Sequence, residues 1–309
     1  MSSPERSRSD YAWIFAKGMG MGAADVVPGV SGGTVAFITG IYDELLGSIK
    51  SVDLKALSLL KSFDIKGLWL HINGGFLLCL MAGILSSVLS LAQIVSYLLE
   101  HQPILLNAFF IGLILASTGL VMRQVGQWNV LRWVLFVVGV VAVASLGGLR
   151  PVNVELQLHL VFLAGSIAIC AMILPGISGS FILLLLGMYA PVIGAIKDLD
   201  LTTIAVFGAG CAIGLMVFVR LLLWLLKNFH GSLLALLCGV LLGSLWIIWP
   251  WKQGGTKVEG KEFLLSSENF MPSVTESQDL ALLGAFAAIC GFLLVYLIEK
   301  SANRLSSRK

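Results

Sequence analysis

Pro28-Gly29-Val30-Ser31-Gly32-Gly33 interrupts one apolar run, 11–47, and Pro175-Gly176-Ile177-Ser178-Gly179-Ser180 interrupts another, 158–196. Proline has no N–H to give a helix and disfavours helical geometry in the residue before it, so each run must break at its centre. Each is therefore expected to form a broken, re-entrant hairpin of short helices, with Pro28 and Pro175 as hinges. The two breaks are copies. A constant offset of 147 also pairs Gly40 with Gly187, Tyr42 with Tyr189, Gly47 with Gly194, Lys50 with Lys197 and Asp53 with Asp200. A second match, Gly112–Ser117 against Gly239–Ser244, falls at offset 127. The difference is the extra length of the linker 48–70 over its short counterpart near 197–200.

Apolar residues form 58% of the 309 and charged residues only 12%, about half the charged share of a soluble domain, which puts the chain in lipid. Six further apolar runs are long enough to span: 72–98, 104–122, 131–149, 201–226, 231–251 and 280–299. The expected fold is an all-α polytopic membrane protein of two repeats, each a re-entrant hairpin followed by three transmembrane helices. Repeat 1 occupies 11–149 and repeat 2 occupies 158–299, with polar tails at 1–10 and 300–309 and an outer loop at 252–279. Three crossings per half is an odd number, so the repeats are expected to be inverted.

With each hairpin returning to the side it entered from, most Lys and Arg gather on one face. They include Arg6, Arg8, Lys55, Lys61, Arg123, Lys227 and Arg304, and that face reads as cytoplasmic. The expectation is a multi-pass inner-membrane protein with both termini in the cytoplasm and no cleavable signal peptide. Cys79, Cys170, Cys211, Cys238 and Cys290 lie singly in apolar runs and read as small buried side chains, not disulfides or metal ligands.

The breaks carry the candidate chemistry. Non-helical backbone at membrane depth is tolerated where protein buries it or a wet cavity meets it. Glycine and serine after a proline present free N–H groups at the start of a new helix, which suits an anion. Gly29, Gly32, Gly33, Gly176 and Gly179 let a ligand reach the backbone, and Ser31, Thr34, Ser178 and Ser180 add hydroxyl donors. Packing between membrane helices is the structural alternative for the glycines. Asp25, whose counterpart is the apolar Met172, either carries H⁺ or binds Na⁺ as a coupling residue, or caps a helix. Arg220 either meets a phosphate or snorkels to the interface. Asp43 and Glu44 read as solvated, the histidines as interfacial, and Trp246, Trp249 and Trp251 as an aromatic belt. No metal, cofactor, catalytic residue or nucleic-acid partner is expected.

The stretches Gly22–Leu46 and His159–Ile196, with the core Ala171–Ser180, resemble the PopT-type polyprenyl-phosphate transporters of bacteria and archaea. The segments at Arg220–Trp224 and Gly243–Trp251 are similar to further parts of that family, and the resemblance covers most of the chain. It implies translocation of undecaprenyl phosphate from the outer to the inner leaflet, which recycles the carrier lipid of cell-wall synthesis. The motif is also similar to that of undecaprenyl-diphosphate phosphatases, but these place an arginine after the motif serine, where this chain has Gly32 and Gly179. An ion-coupled transporter of a small soluble anion is the third reading. It would need a polar lining that the spanning helices, with few polar residues beyond Gln93, Asn107, Ser117 and Thr118, poorly supply.

Overall fold

The structure, a computed structural model, describes residues 6–25, 31–149, 157–253, 256–258, 261–263, 268–270 and 278–306. Pro28 and Gly29 lie outside the described residues. The first hairpin comprises α1 (Arg8–Asp25), α2 (Gly32–Ile38) and α3 (Tyr42–Lys50). The linker folds as two short helices, α4 (Leu54–Lys61) and α5 (Ile65–His71), before α6 (Gly74–His101), α7 (Pro103–Gln124) and α8 (Val130–Leu146). The second hairpin is α9 (Leu158–Ile173), α10 (Gly179–Leu185) and α11 (Tyr189–Lys197), followed by α12 (Leu201–Ile247) and α13 (Gln278–Ser306). Between the last two helices run four short strands, β1 (Lys252–Gln253), β2 (Thr256–Val258), β3 (Lys261–Phe263) and β4 (Glu268–Asn269). The strands pair antiparallel as β1 with β4 and β2 with β3.

Among the described residues, length and apolarity qualify α7 and α12 as spans, and two bent pairs only together, α5 with Gly74–Ser90 of α6 (71°) and α10 with α11 (108°). The 47 residues of α12 would run about 70 Å as a straight helix, more than twice the ~30 Å hydrocarbon thickness. The run is interrupted at Phe229, whose φ of −132° and ψ of 36° are not helical. Residues expected to form two separate spans are thus two arms, 201–228 and 230–247, divided at that residue.

Glycine sets how the helices pair. On α1 and α6, Gly18 packs on the carbonyl of Leu80 and Gly83 on that of Phe15. On α9 and the first arm of α12, Gly165 packs on the carbonyl of Phe207 and Gly210 on that of Phe162. Each residue of the second pair stands 147 or 127 positions after its counterpart in the first. Likewise Gly112 of α7 meets the carbonyl of Ala288 on α13, and Gly291 meets that of Phe109. At offsets of 127 and 152, Gly239 of α12 meets the carbonyl of Phe136 on α8, and Gly139 meets that of Leu236. A side chain at any of these positions would keep the backbones apart.

Local geometry follows the same register. Gly40 and Gly187 end α2 and α10 with φ of +71° and +67°, a left-handed turn that glycine adopts without steric cost. Asp53 caps α4 through the N–H groups of Lys55 and Ala56, and Asp200 caps α12 through those of Thr202 and Thr203. The Ala56 N–H and then the His71 ring hold the Asp53 carboxyl below the usual range; for Asp200 the Thr203 hydroxyl does so first.

The polarity is distributed for a lipid solvent. Val134, Val138 and Val141 of α8 and Leu282, Phe286 and Ile289 of α13 are exposed, while Ser31, Thr34, Ser117, Ser178 and Ser244 are buried. One expectation is corrected here. Glu44 is not a solvated end group: it pairs with Arg6 and accepts a 2.7 Å hydrogen bond from Asn73 Nδ2, tying α3 to the start of α6.

Candidate substrate site at the hairpin tips

α9 stops at Ile173 because Pro175 has no N–H for the carbonyl of Ala171, which instead accepts from Leu174 N at 3.1 Å. The carbonyls of Met172 and Ile173 then lack helical partners. Side chains of the other hairpin supply them. Ser31 Oγ donates to the Met172 carbonyl at 2.8 Å, and Tyr42 Oη donates to that of Ile173 at 3.1 Å. In return Gly176 N donates to Thr34 Oγ1 at 2.9 Å. Gly176 has φ +91° and packs against the backbone of Val240 and Leu241 on the second arm of α12, a position where a side chain would be strained and crowded.

On the first hairpin, Ser31 is the N-cap of α2 and its Oγ also accepts from Gly33 N at 3.1 Å. Asp25, at the end of α1, accepts from Gly32 N at 2.7 Å. The carboxylate thus sits on one of the N–H groups expected to receive an anion. A Cβ on Gly32 would lie 2.5 Å from the Asp25 carboxylate, and a Cβ on Gly33 would lie 2.7 and 2.9 Å from the carbonyls of Ile173 and Met172. In the second hairpin, Gly179 faces Met172 and the Ala168 carbonyl, so the apolar Met172 holds the place that Asp25 holds in the first. Ser178 and Ser180 bond through their hydroxyls at 2.8 Å.

The structure therefore brings Asp25, Ser31, Gly32, Gly33 and Thr34 to the end of α9 and to Gly176, while Ser178, Gly179 and Ser180 follow on the second hairpin, with Gly179 against Met172 and the two serines bonded to each other. Arg220 is exposed on the first arm of α12, and its Nη1 donates to the Met216 carbonyl of its own helix. Two contributors were not singled out from sequence. Tyr42 was visible only as the partner of Tyr189 in the 147-residue register. Lys17, whose Nζ donates to the Thr39 carbonyl at 2.8 Å and closes the end of α2, gave no signal beyond being a lysine in an apolar run.

α2 and α10 have seven residues each, so their helix dipoles are short and the individual N–H and hydroxyl groups carry the polarity. The described polar contacts of the tips are made by hydroxyls, backbone groups and one carboxylate, inside an apolar shell. They suit a ligand rich in acceptor oxygens that trades bonds with the protein.

These features define a helical membrane protein in which two broken hairpins, distant in sequence, meet through buried polar groups. The chain belongs to the undecaprenyl phosphate translocase-like family (VCA0040-like), which matches residues 21–263. It is 43% identical over 302 residues to a polyprenyl-phosphate transporter of Vibrio cholerae, covering 96% of this chain and 98% of the relative. It is 29% identical over 259 residues to a polyprenyl-phosphate transporter of Staphylococcus aureus, covering 78% and 87%. No solved structure matches the chain.

Proposed function

We propose that this protein moves undecaprenyl phosphate from the outer to the inner leaflet of the cytoplasmic membrane, returning the carrier lipid for reuse, and that the phosphate passes between the two hairpin tips. The observation that carries this reading is the direct bonding of the tips, Ser31 to Met172 and Gly176 to Thr34, among buried residues of a lipid-facing fold. A lipid phosphate has an anionic head that must cross hydrocarbon and a tail that need not leave it. Its oxygens are matched to the N–H groups of Gly32 and Gly176 and to the hydroxyls of Ser31, Thr34, Ser178 and Ser180. To take the first of these N–H groups it displaces Asp25, which makes that carboxylate the candidate for H⁺ or Na⁺ coupling.

Alternating access requires two halves able to rock against each other. Inverted repeats supply them, and the recurrence of glycine contacts at fixed offsets supports the repeat. α7 of the first half packs on α13 of the second, and the second arm of α12 packs on α8 of the first. Each half thus lends a helix to the other.

The test is translocation of labelled undecaprenyl phosphate by purified protein in liposomes, with and without imposed proton and sodium gradients. Protein-dependent movement of intact lipid is expected, and its response to each gradient names the coupling ion. Release of free phosphate would make the protein a phosphatase and overturn the reading. Movement of a soluble anion but not of the lipid would overturn it in favour of a small-anion transporter.

A further inference from the structure

The linker between the first hairpin and α6 has no counterpart of its length in the second half, where α11 and α12 are joined within 198–200. It is also ordered as two helices, α4 and α5, that leave their apolar side chains uncovered. Leu54 is 84% exposed, Phe63 87% and Ile65 71%, and Leu57 and Leu70 are about half exposed. An exposed apolar surface of this kind marks a protein or membrane contact. Lys50, Lys55, Lys61 and Lys66 are interleaved with it and are all exposed. The two acids, Asp53 and Asp64, are engaged as N-caps, Asp64 by Gly67 N at 2.8 Å.

The position is fixed from both ends. Lys50 closes α3 of the hairpin, and the ring of Trp69 lies against Gly74, the first residue of the lipid-facing α6. α5 is bent by 71° from Gly74–Ser90 of α6, so with α6 crossing the membrane α5 turns toward the plane of its surface. There, apolar side chains reach the acyl boundary and lysines snorkel to the headgroups.

We infer that α4 and α5 form an interfacial paddle that docks on the anionic phospholipid surface of the leaflet on its own side. The occupant is bulk anionic lipid, because apolar and basic side chains are mixed over the whole length of the linker instead of converging on one pocket. The paddle fastens the first half to one leaflet and leaves the second half without such a tether. The inference rests on the membrane reading of the fold and not on the identity of the transported lipid.

Each lysine near an anionic surface shifts docking by about fivefold, so removal of three charges shifts it on the order of a hundredfold. The test uses full-length protein with its five cysteines replaced by alanine and Phe63→Cys carrying an environment-sensitive dye, with Leu54→Cys as the second site should the first label disturb folding. It is reconstituted in vesicles of phosphatidylcholine with and without phosphatidylglycerol, and dye quenching by spin-labelled lipid is compared with quenching by aqueous iodide. Lipid quenching that strengthens with phosphatidylglycerol, and loses that dependence in Lys55→Gln/Lys61→Gln/Lys66→Gln, is expected. Iodide access in both vesicles, lipid quenching indifferent to phosphatidylglycerol, or dependence that survives the triple variant would each overturn the inference. Lipid translocation plays no part in the readout, so its presence or absence tests the transport proposal separately.

Discussion

Gly33→Ala is the sharpest perturbation of the proposed site. The added Cβ would lie 2.7 Å from the Ile173 carbonyl and 2.9 Å from that of Met172, against roughly 3.5 Å for an unstrained contact. Both neighbours are backbone, so the tips must part by about half an ångström or more. The Ser31–Met172 and Tyr42–Ile173 hydrogen bonds, at 2.8 and 3.1 Å, then stretch to the edge of bonding. Overpacking costs about 1–3 kcal/mol, and each bond lost about 0.5–1.5 kcal/mol more. A net change of about 2 kcal/mol shifts the ratio of joined to parted tips roughly thirtyfold. Gly47→Ala is the control, since a Cβ there meets nothing within 4 Å. The assays are thermal unfolding in detergent and lipid translocation in liposomes. Gly33→Ala is expected to lower the midpoint and to reduce translocation at least tenfold, on the order of the population shift, with Gly47→Ala close to the parent in both. Equal behaviour of the two variants would refute the role given to tip contact.

Asp25→Asn keeps an acceptor oxygen for Gly32 N but removes the charge that competes with phosphate, so tighter binding of a lipid-phosphate analogue and loss of the pH or sodium response of transport are expected; unchanged affinity together with an unchanged gradient response would oppose this. Gly139→Ala puts a Cβ 2.5 Å from the Leu236 carbonyl and should destabilise by about 1–3 kcal/mol, whereas Gly119→Ala, facing open space, should stabilise by up to about 1 kcal/mol. Unfolding midpoints that move in the same direction for the two would count against close α8–α12 packing. Burial pushes the Lys252 ammonium, which donates to the Ile247 carbonyl, down to about 8, so between that pH and the unfolded value near 10.4 the unfolded chain binds more protons. Stability should therefore rise as pH is raised through this window and be flat below it. Lys252→Met should abolish the rise in a pH series of thermal melts, and an unchanged slope in the variant would contradict this.

The duplicated Pro-Gly motifs were legible because a proline has a local, context-free effect on the helix that contains it, and α9 ends where Pro175 requires. The register was legible where a position has a local or close-packing demand: Gly40 and Gly187 turn in the left-handed region, Asp53 and Asp200 cap helices, and Gly112 and Gly239 pack on backbone carbonyls. The cross-hairpin bonds were not legible, since Tyr42 and Ile173 are 131 positions apart and only tertiary packing joins them. The linker was read as connection alone, because two helices of eight and seven residues give too few turns for a periodic signal. The break in α12 was placed from composition near 227–230, but not its form, a single non-helical residue at Phe229.

The asymmetry between the hairpins bears on how transport would be driven. In the first, the Gly32 N–H meets a carboxylate of the protein itself; in the second, the equivalent face is covered by Met172. On the proposed route, a phosphate arriving at the tips would exchange one anion for another at the first hairpin and add an anion at the second. Two symmetric carboxylates would double the repulsion to be overcome, and none would leave the Gly32 N–H without a partner in an apolar surrounding when the lipid has gone. A single internal carboxylate satisfies the donor, and on the proposed route it would tie release of phosphate to the return of one negative charge. Because that charge is removable by a proton or neutralised by a cation, Asp25, which has the apolar Met172 as its counterpart, is the residue through which a gradient would act under the proposed transport.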